Sequence, residues 1–295
     1  MSNIRKMLVI GDLCQDIFMY CKSTRLCPDA PVPIVEPMSD IESMGMSGNV
    51  YNNILSIATN VQQVGINLQV SILANKERVE KLRVVDEKTN HMFVRIDKRI
   101  GAVQPIDLVI LEEYIKKNKF DIVLISDYSK GFIPNSETIE AIVKLAKTNN
   151  CLVLVDTKKL LDEHIFSCDF VKINNVEYEY TNNIYPELLK KNISKLIITR
   201  GRNGCDYNGT NYPVEDVDVK DMTGAGDTFM SALGFSLVFG NPVQEAIKFA
   251  NMCASIVVQK KGVSVPFKTK DSLVQVYVNE NDNITYFEET SNINI

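Results

Sequence analysis

The sequence predicts an α/β protein, a mostly parallel sheet covered by helices on both faces with a small lid of strands set outside it. Short apolar runs of strand length alternate with amphipathic stretches of helical spacing, the pattern of a parallel sheet with crossover helices. The strand runs read as buried, and each is followed by polar or turn residues. Two stretches, 17–40 and 81–99, fall outside the alternation and carry strand-like runs of their own.

The first strand is read at Met7–Ile10, just before Gly11-Asp12. The stretch 17–40, with Pro28, Pro31 and Pro33, supplies one half of the lid. Leu82-Arg-Val-Val and Met92-Phe-Val-Arg-Ile, flanking Asp86–Asn90, supply the other half within 81–99. Ile106–Lys117 and Ser136–Thr148 have helical spacing, and Asp121–Ser126, Cys151–Val155, Phe170–Ile173 and Leu196–Thr199 read as sheet strands. From Thr228 an apolar helix runs to a stop at Gly240-Asn241-Pro242. The last helix, Val243–Gln259, has Pro242 near its first turn, where a missing N–H costs little. Residues 1–278 are read as one domain with the lid inside it, and the polar residues 279–295 as a loosely held tail. Ligands are expected at the carboxyl ends of the strands.

Composition narrows the functional classes. A chain of 295 residues, 45% apolar, can bury a full core. A net charge of −5 excludes a general nucleic-acid binder, which needs a basic face, while leaving room for a local basic pocket. Seven cysteines, odd in number and never in C-x-x-C, suggest neither a disulfide framework nor a zinc site. With no export signal or membrane anchor in evidence, a reducing cytoplasm is the expected home. His91 and His164 lack metal-type spacing and are read as surface residues.

The most informative stretch is Asp221-Met-Thr-Gly-Ala-Gly-Asp-Thr-Phe229. Gly224 and Gly226 allow a tight turn that brings backbone N–H groups close to a ligand. A helix then begins, and its free N–H groups and positive dipole end suit phosphate oxygens. Asp227 in that position can take a proton from a hydroxyl while the loop stabilises a phosphoryl group in transfer. A tight turn with a capping aspartate reads the same residues without chemistry.

The longer string Asp221-x-Thr-Gly-Ala-Gly-Asp-Thr228 resembles the C-terminal signature of the ribokinase-like, or PfkB-type, sugar kinases. Further segments occur in family order: Gly11-Asp12-Leu-Cys-Gln-Asp16, Ser23 to Pro33, Lys81-Leu-Arg-Val84, Ser126-Asp-Tyr-Ser-Lys-Gly131, Val155-Asp-Thr-Lys158 and Asn174-x-x-Glu177. Together, from about Met7 to Pro266, they look like the kinase half of the bacterial heptose-phosphate enzymes. Those enzymes phosphorylate C1 of D-glycero-D-manno-heptose 7-phosphate with ATP. The resemblance implies a ribokinase-like three-layer α/β/α sandwich, ATP and Mg²⁺ as cofactors, and a sugar phosphate as the small-molecule partner. A nucleotidyltransferase half, present in bifunctional relatives, is expected as a separate protein acting downstream in nucleotide-sugar synthesis for lipopolysaccharide.

The same resemblance implies roles. Asp227 would be the base for the sugar hydroxyl, with Gly224, Ala225 and Gly226 as the anion hole. Asp12 and Asp16 would bind sugar hydroxyls, although a turn and a helix cap would also explain them. Asn49 in Gly45-Met-Ser-Gly-Asn49 matches a sugar-contacting asparagine after a glycine pair. Here Met46 replaces the second glycine of that pair, and its side chain is expected to reshape the pocket. Gly45 belongs to the same sugar-binding group. Arg25, Lys81 and Arg83 in the lid would hold the second, non-reacting phosphate. Basic residues on exposed strands also serve solubility alone. Asp127 and Lys130 are further substrate-side candidates.

On the ATP side, Lys158 is a phosphate candidate. Thr199-Arg-Gly201-Arg-Asn-Gly204 resembles the segment beside the phosphates, and equally an ordinary hairpin. Asn174 and Glu177 resemble the pair that organises magnesium, with Glu177 acting through water. Asn251 and Gly262 match positions near adenine, where capping is the routine alternative.

One departure is large. Between Val70 and Lys81 the family usually inserts a helix and another strand, and this chain has only Ser-Ile-Leu-Ala-Asn-Lys-Glu-Arg-Val-Glu. The expectation is an open sheet edge, and with it a homodimer through the lid strands or that edge. Three readings stay open: the heptose-phosphate kinase, a kinase for another sugar phosphate or nucleoside, and a catalytically weak sensor or partner subunit.

Overall fold

The computed structural model describes residues 4–61, 67–99, 101, 103–267, 276–278 and 284–289. Strand β1 (Arg5–Gly11) leads into the long hairpin β2 (Leu13–Leu26) and β3 (Pro33–Met46), followed by α1 (Ser47–Val61). Strand β4 (Leu68–Asn75) precedes a second hairpin, β5 (Glu80–Asp86) and β6 (Met92–Lys98). The chain then alternates through α2 (Leu108–Asn118), β7 (Ile122–Asp127), α3 (Ser136–Thr148), β8 (Leu152–Thr157) and β9 (Phe170–Asn174). Next come α4 (Asn175–Ile184), α5 (Pro186–Lys191), β10 (Leu196–Thr199) and the short hairpin β11 (Cys205–Tyr207) and β12 (Thr210–Tyr212). The helices α6 (Ala225–Val238) and α7 (Val243–Val258) and the strands β13 (Val276–Val278) and β14 (Ile284–Glu289) complete the fold.

Local chemistry sets these boundaries. Asp107 caps α2 by accepting the N–H groups of Val109 and Ile110, and Asn135 caps α3 through Thr138 N–H. Lys116 and Lys117 close α2 and Lys147 closes α3, where cations suit the dipole.

The main sheet runs β12-β11-β10-β9-β8-β7-β1-β4-β14-β13, with the central strands β10 to β4 parallel. Alternate side chains feed two cores. Leu8, Ile10, Val123, Ile125, Val153 and Val155 pack with Leu111 of α2 and Ile139 and Ile142 of α3. Met7, Val9, Ile122, Leu124 and Leu154 pack with Ile54 of α1, Phe229 and Leu233 of α6 and Ile247 of α7. Each fully buried aliphatic side chain contributes about 1.5–3 kcal/mol. The result is the α/β/α sandwich that the alternation predicts. After β1 the crossovers go one way, to β4, and from β7 they go the other way, so the order reverses between β1 and β7. Open α/β sheets bind ligands at such a point.

The lid is a separate four-stranded sheet, β3-β2-β5-β6, with β2 and β5 parallel and the outer pairs antiparallel. It is longer than the expected 17–40 and 81–99, because β2 leaves the main sheet already at Leu13 and β3 returns as far as Met46.

The edge expected to stand open at β4 does not. Strand β14 pairs antiparallel with β4 from Ile284↔Asn75 to Glu289↔Val70, so backbone from the region read as a tail fills it. Of that tail, 279–283 and 290–295 lie outside the described residues. All seven cysteines are free, and burial pushes the thiols of Cys168 and Cys253 up to about 12. His164 Nδ1 pairs with Glu140 at 2.8 Å on the surface, and His91 is exposed.

Candidate active site

At the reversal point, Asp12 follows β1 and is 0% exposed. Its carboxylate accepts the backbone N–H groups of Tyr128 (2.8 Å), Lys130 (3.1 Å) and Phe132 (3.1 Å), from the loop that follows β7. Its carbonyl accepts both the N–H (3.0 Å) and the hydroxyl (2.7 Å) of Ser47, where α1 begins. Burial raises the Asp12 carboxyl above its ordinary range, and the three amides oppose that shift. Asp12 is thus the knot between β1, α1 and the 128–132 loop.

Helix α6 starts beside this knot. Gly224 takes φ +82° at its N-cap, and a Cβ there would stand 2.8 Å from Asn49 Nδ2, so both backbone and space require glycine. Ala225 N–H reaches Met222 O (3.3 Å), and the amides of Gly226 and Asp227 belong to the first turn, beyond reach of any helical carbonyl. Asp227, 7% exposed, is held at both oxygens: Tyr128 donates to Oδ1 (2.5 Å) and Asn49 Nδ2 donates to Oδ2 (2.8 Å). Asn49 is oriented in turn by Asn53, whose Nδ2 donates to Asn49 Oδ1 (3.0 Å) and whose Oδ1 accepts from Thr228 (2.8 Å). Each carboxylate oxygen has two lone pairs and spends one here, so Asp227 keeps capacity for a substrate hydroxyl. Burial raises its carboxyl above the ordinary range, while the bonds from Tyr128 and Asn49 pull it down.

Tyr128 joins this centre to two cations. Lys81 Nζ lies 5.3 Å and Lys158 Nζ 5.7 Å from the centre of its ring. Lys158 also pairs with Glu177. Burial works against the Lys158 charge, but Asp156, Glu177 and Asp227 outweigh it and raise its pKa.

On the lid, Asp16 is buried and pairs with Arg83 at 2.5 Å, and the Arg83 guanidinium also lies 4.9 Å from the Phe18 ring centre. Gly45 faces Asp16 from β3, and a Cβ there would stand 2.2 Å from Asp16 Oδ2. Met46 departs from expectation. Its φ is +58°, a left-handed conformation that explains why glycine serves well at this position. That backbone turns the methionine inward, 2% exposed, into the core with Leu8, Ile10 and Leu73. It does not shrink the pocket.

A cavity of about 530 Å³ opens beside α6. The glycine loop Gly224–Gly226, Asp227 and Tyr128 form one end, with Lys158 and Asn174 alongside. Thr199, Gly201, Gly204 and Asn251 line it further along, and Val176, Val219, Ala254 and Val258 give it an apolar wall suited to a flat base. Asn49 also lines a second hollow of about 430 Å³ with Ser43, Met44 and Asn52.

The pattern of the pfkB family of carbohydrate kinases matches residues 55–270 of the sequence. The chain belongs to that family. Among curated relatives, the bifunctional protein HldE of Helicobacter pylori (strain Shi470) is 29% identical over 296 residues, covering 88% of this chain and 64% of the relative. HldE of Haemophilus influenzae (strain PittEE) is 28% identical, covering 88% and 61%. The chain therefore spans less than two thirds of the length of these relatives. Among solved structures, Escherichia coli phosphofructokinase-2 in complex with potassium superposes with a TM-score of 0.64 at 14% identity, covering 88% and 94% of the two chains. Arabidopsis thaliana ribokinase complexed with ribose and ATP gives 0.60 at 17%, covering 88% and 94%. These likenesses establish the ribokinase-like fold of this pfkB kinase.

Several residues singled out in the sequence sit elsewhere or are otherwise engaged in this pfkB kinase. Arg25 is exposed near the far end of β2. Asp127 is buried and its carboxylate is taken up by Thr157, Lys159 (2.8 Å) and Ser129 N–H (2.9 Å), because it anchors the turn after β7. Lys130 meets Asp12 through its backbone. Asn174 and Glu177 form a capping box on α4, with Asn174 N–H donating to Glu177 (2.9 Å) and Glu177 N–H to Asn174 (2.9 Å). Thr199 to Gly204 is both the hairpin approach and part of the cavity wall. Gly262 donates its N–H to Asp221 (3.0 Å), bracing the glycine loop from outside the cavity.

The site also contains residues that the sequence reading passed over. Tyr128 lay inside a quoted motif, but nothing local to it points to Asp227, 99 residues away. Lys172 and Asp156, paired at 2.6 Å, line the cavity. The available signal for Lys172 was a charge in the middle of the apolar strand Phe170–Ile173.

Proposed function

We propose that this chain transfers the γ-phosphoryl of Mg-ATP to the C1 hydroxyl of a sugar phosphate, D-glycero-D-manno-heptose 7-phosphate being the preferred acceptor. The carrying observation is Asp227, held by Tyr128 and Asn49 in the first turn of α6 at the end of a cavity sized for a nucleotide. The sugar hydroxyl would meet the remaining lone pairs of Asp227, which takes its proton as the oxygen attacks phosphorus. The amides of Gly226 and Asp227 would stabilise the charge on the phosphoryl oxygens. Asp16, held open by Gly45, and Asn49 would orient the sugar hydroxyls. Lys81 would meet the second phosphate, with Arg83 fixing Asp16. We assign Asp12 to scaffolding of the 128–132 loop.

Glu177, both of whose oxygens are engaged, would reach a hydrated hard cation beside the cavity through water. Magnesium, when bound, neutralises charge on the β- and γ-phosphates.

Residues 1–278, completed by the paired strand β14, would form the kinase domain, working in the cytoplasm, with a nucleotidyltransferase acting downstream. Exposed Met92, Val94 and Ile96 alternate along β6 and share one lid face, which supports a homodimer through the lid strands. Light-scattering mass of the protein and its Val94→Glu variant would test that; a monomeric parent overturns it.

ADP release with Mg-ATP and the heptose phosphate, beside other sugar phosphates and an Asp227→Asn control, tests the main reading. Heptose-dependent turnover lost in the control supports it. Turnover with another sugar alone moves the acceptor within the family, and ligand binding without turnover favours a sensor.

A further inference from the structure

A buried ammonium stands against the glycine loop. Lys172 lies in β9 between Val171 and Ile173, both 0% exposed, and is itself 4% exposed. Its Nζ donates to Asp156 Oδ2 at 2.6 Å. A Cβ built on Gly226 would stand 3.0 Å from that Nζ, so the ammonium abuts the first turn of α6. Both Lys172 and Asp156 line the cavity that ends at Asp227.

An ammonium carries three N–H donors. Among the described residues Asp156 is the hydrogen-bond acceptor it uses, which leaves two donors facing the cavity. A buried donor left without an acceptor is costly. Nor does the pair earn its place through stability, since packed apolar residues often do as well as a buried ion pair. Lys158 is a different case: it sits at the rim, more exposed, tied to Glu177 and stacked near Tyr128. Lys172 is the cation deep in the site, next to the first-turn amides of α6.

We propose that Lys172 is the catalytic cation for the phosphoryl group in transfer, its two remaining N–H donors binding γ-phosphoryl oxygens, with Asp156 as the positioning residue that aims the ammonium. The inference rests on the kinase reading. In the step, the sugar oxygen forms its bond to phosphorus as the bond to the bridging oxygen of ADP breaks. ADP leaves with that electron pair, the hydroxyl proton passes to Asp227, and Lys172 stays protonated throughout. Placement beside Gly226, in the same turn as Asp227, puts the ammonium at the reacting end of the nucleotide.

The test is a paired substitution, Lys172→Met with Asp156→Asn, which removes both charges together and leaves no buried carboxylate unpaired. Three quantities are read: thermal unfolding, the ratio of affinities for ADP and a non-hydrolysable β,γ-imido ATP with Mg²⁺, and kcat with KM for the acceptor. The expected result is a folded protein that binds ADP within about threefold of the parent and loses the parent's preference for the triphosphate analogue, with acceptor KM held and kcat down about 10²-fold or more. Lys172→Arg, which keeps the charge but moves it, should recover part of both. Retention of the triphosphate preference and of kcat within about threefold overturns the proposal. If the pair proves necessary for folding, Lys172→Gln, which keeps a donor for Asp156 but removes the charge, decides alone, because an unchanged ratio and kcat overturn it equally. If the parent turns over no sugar phosphate, the kinase reading fails separately, and the affinity ratio still tells whether Lys172 holds the terminal phosphate.

Discussion

Tyr128 donates its phenol hydrogen to Asp227 Oδ1 across 2.5 Å, and this bond ties the carboxyl end of β7 to the first turn of α6. Burial, then the nearby charges of Asp227 and Asp156, raise the phenol well above its ordinary pKa, so it remains a donor. Tyr128 sits between the lid, through Lys81, and the rim of the cavity, through Lys158. A change in lid position therefore bears on a residue that lowers the Asp227 pKa against the pull of burial.

Tyr128→Phe should move the acid limb of kcat/KM to higher pH. The sign follows from the causes. The bond from Tyr128 lowers the Asp227 pKa against the upward pull of burial, so its loss raises that pKa further. The ionised base is then lost sooner as pH falls. A pH profile of kcat/KM for the parent and the variant reads the shift, and superimposed limbs would refute it.

Asp12→Asn should destabilise the fold by about 3 kcal/mol or more, because charge-assisted bonds to three amides are weakened and an NH₂ group is set against N–H donors. Urea unfolding measures it. A loss below about 1 kcal/mol would show that Asp12 is not the knot described.

Gly45→Ala should act on the acceptor side. The added Cβ displaces the Asp16 carboxylate, which it would meet at 2.2 Å, and disturbs the pair with Arg83. The expected outcome is an acceptor KM raised about tenfold or more, with the KM for ATP little changed. Equal effects on both substrates would argue for a general loss of lid structure.

Met46→Gly should separate strain from burial. It relieves a left-handed φ worth about 1–2 kcal/mol but empties a core site worth about 2–5 kcal/mol, for a net loss of about 0–4 kcal/mol. Acceptor KM should stay within about twofold, since the side chain faces the core. A large fall in KM would instead return Met46 to the pocket.

Removal of residues 276–295 should expose the backbone of β4 along Val70–Asn75, where β14 now pairs. An unpaired edge next to a buried core invites association. Static light scattering should show aggregation or a larger assembly than the full chain, and an unchanged mass would mean that β14 is dispensable.

The glycine loop, its aspartate and the strand ends were legible in the sequence because their signals are local. Glycine spacing, a helix start and an apolar run are all read within a few residues of one another. The helix Ser136–Thr148 keeps its expected bounds, since Asn135 and the apolar spacing that define it lie within it or next to it. Helix α1 went unread. Its first turn is set by Asp12, 35 residues upstream, which accepts Ser47.

By itself, the sequence determined the alternation of strands and helices, the tight glycine turn at Gly224–Gly226 and the kinase family, all of which follow from periodicity and short motifs. The tertiary structure decided which polar groups are spent on the scaffold and which face the cavity. Asp12 and Asp127 hold the loop after β7, Met46 turns into the core, and Tyr128, Asn49 and Lys172 converge on the first turn of α6. The physical reason is that a carboxylate or an ammonium takes its character from its hydrogen-bond partners and its burial. Here those partners come from segments that only the assembled sheet brings together.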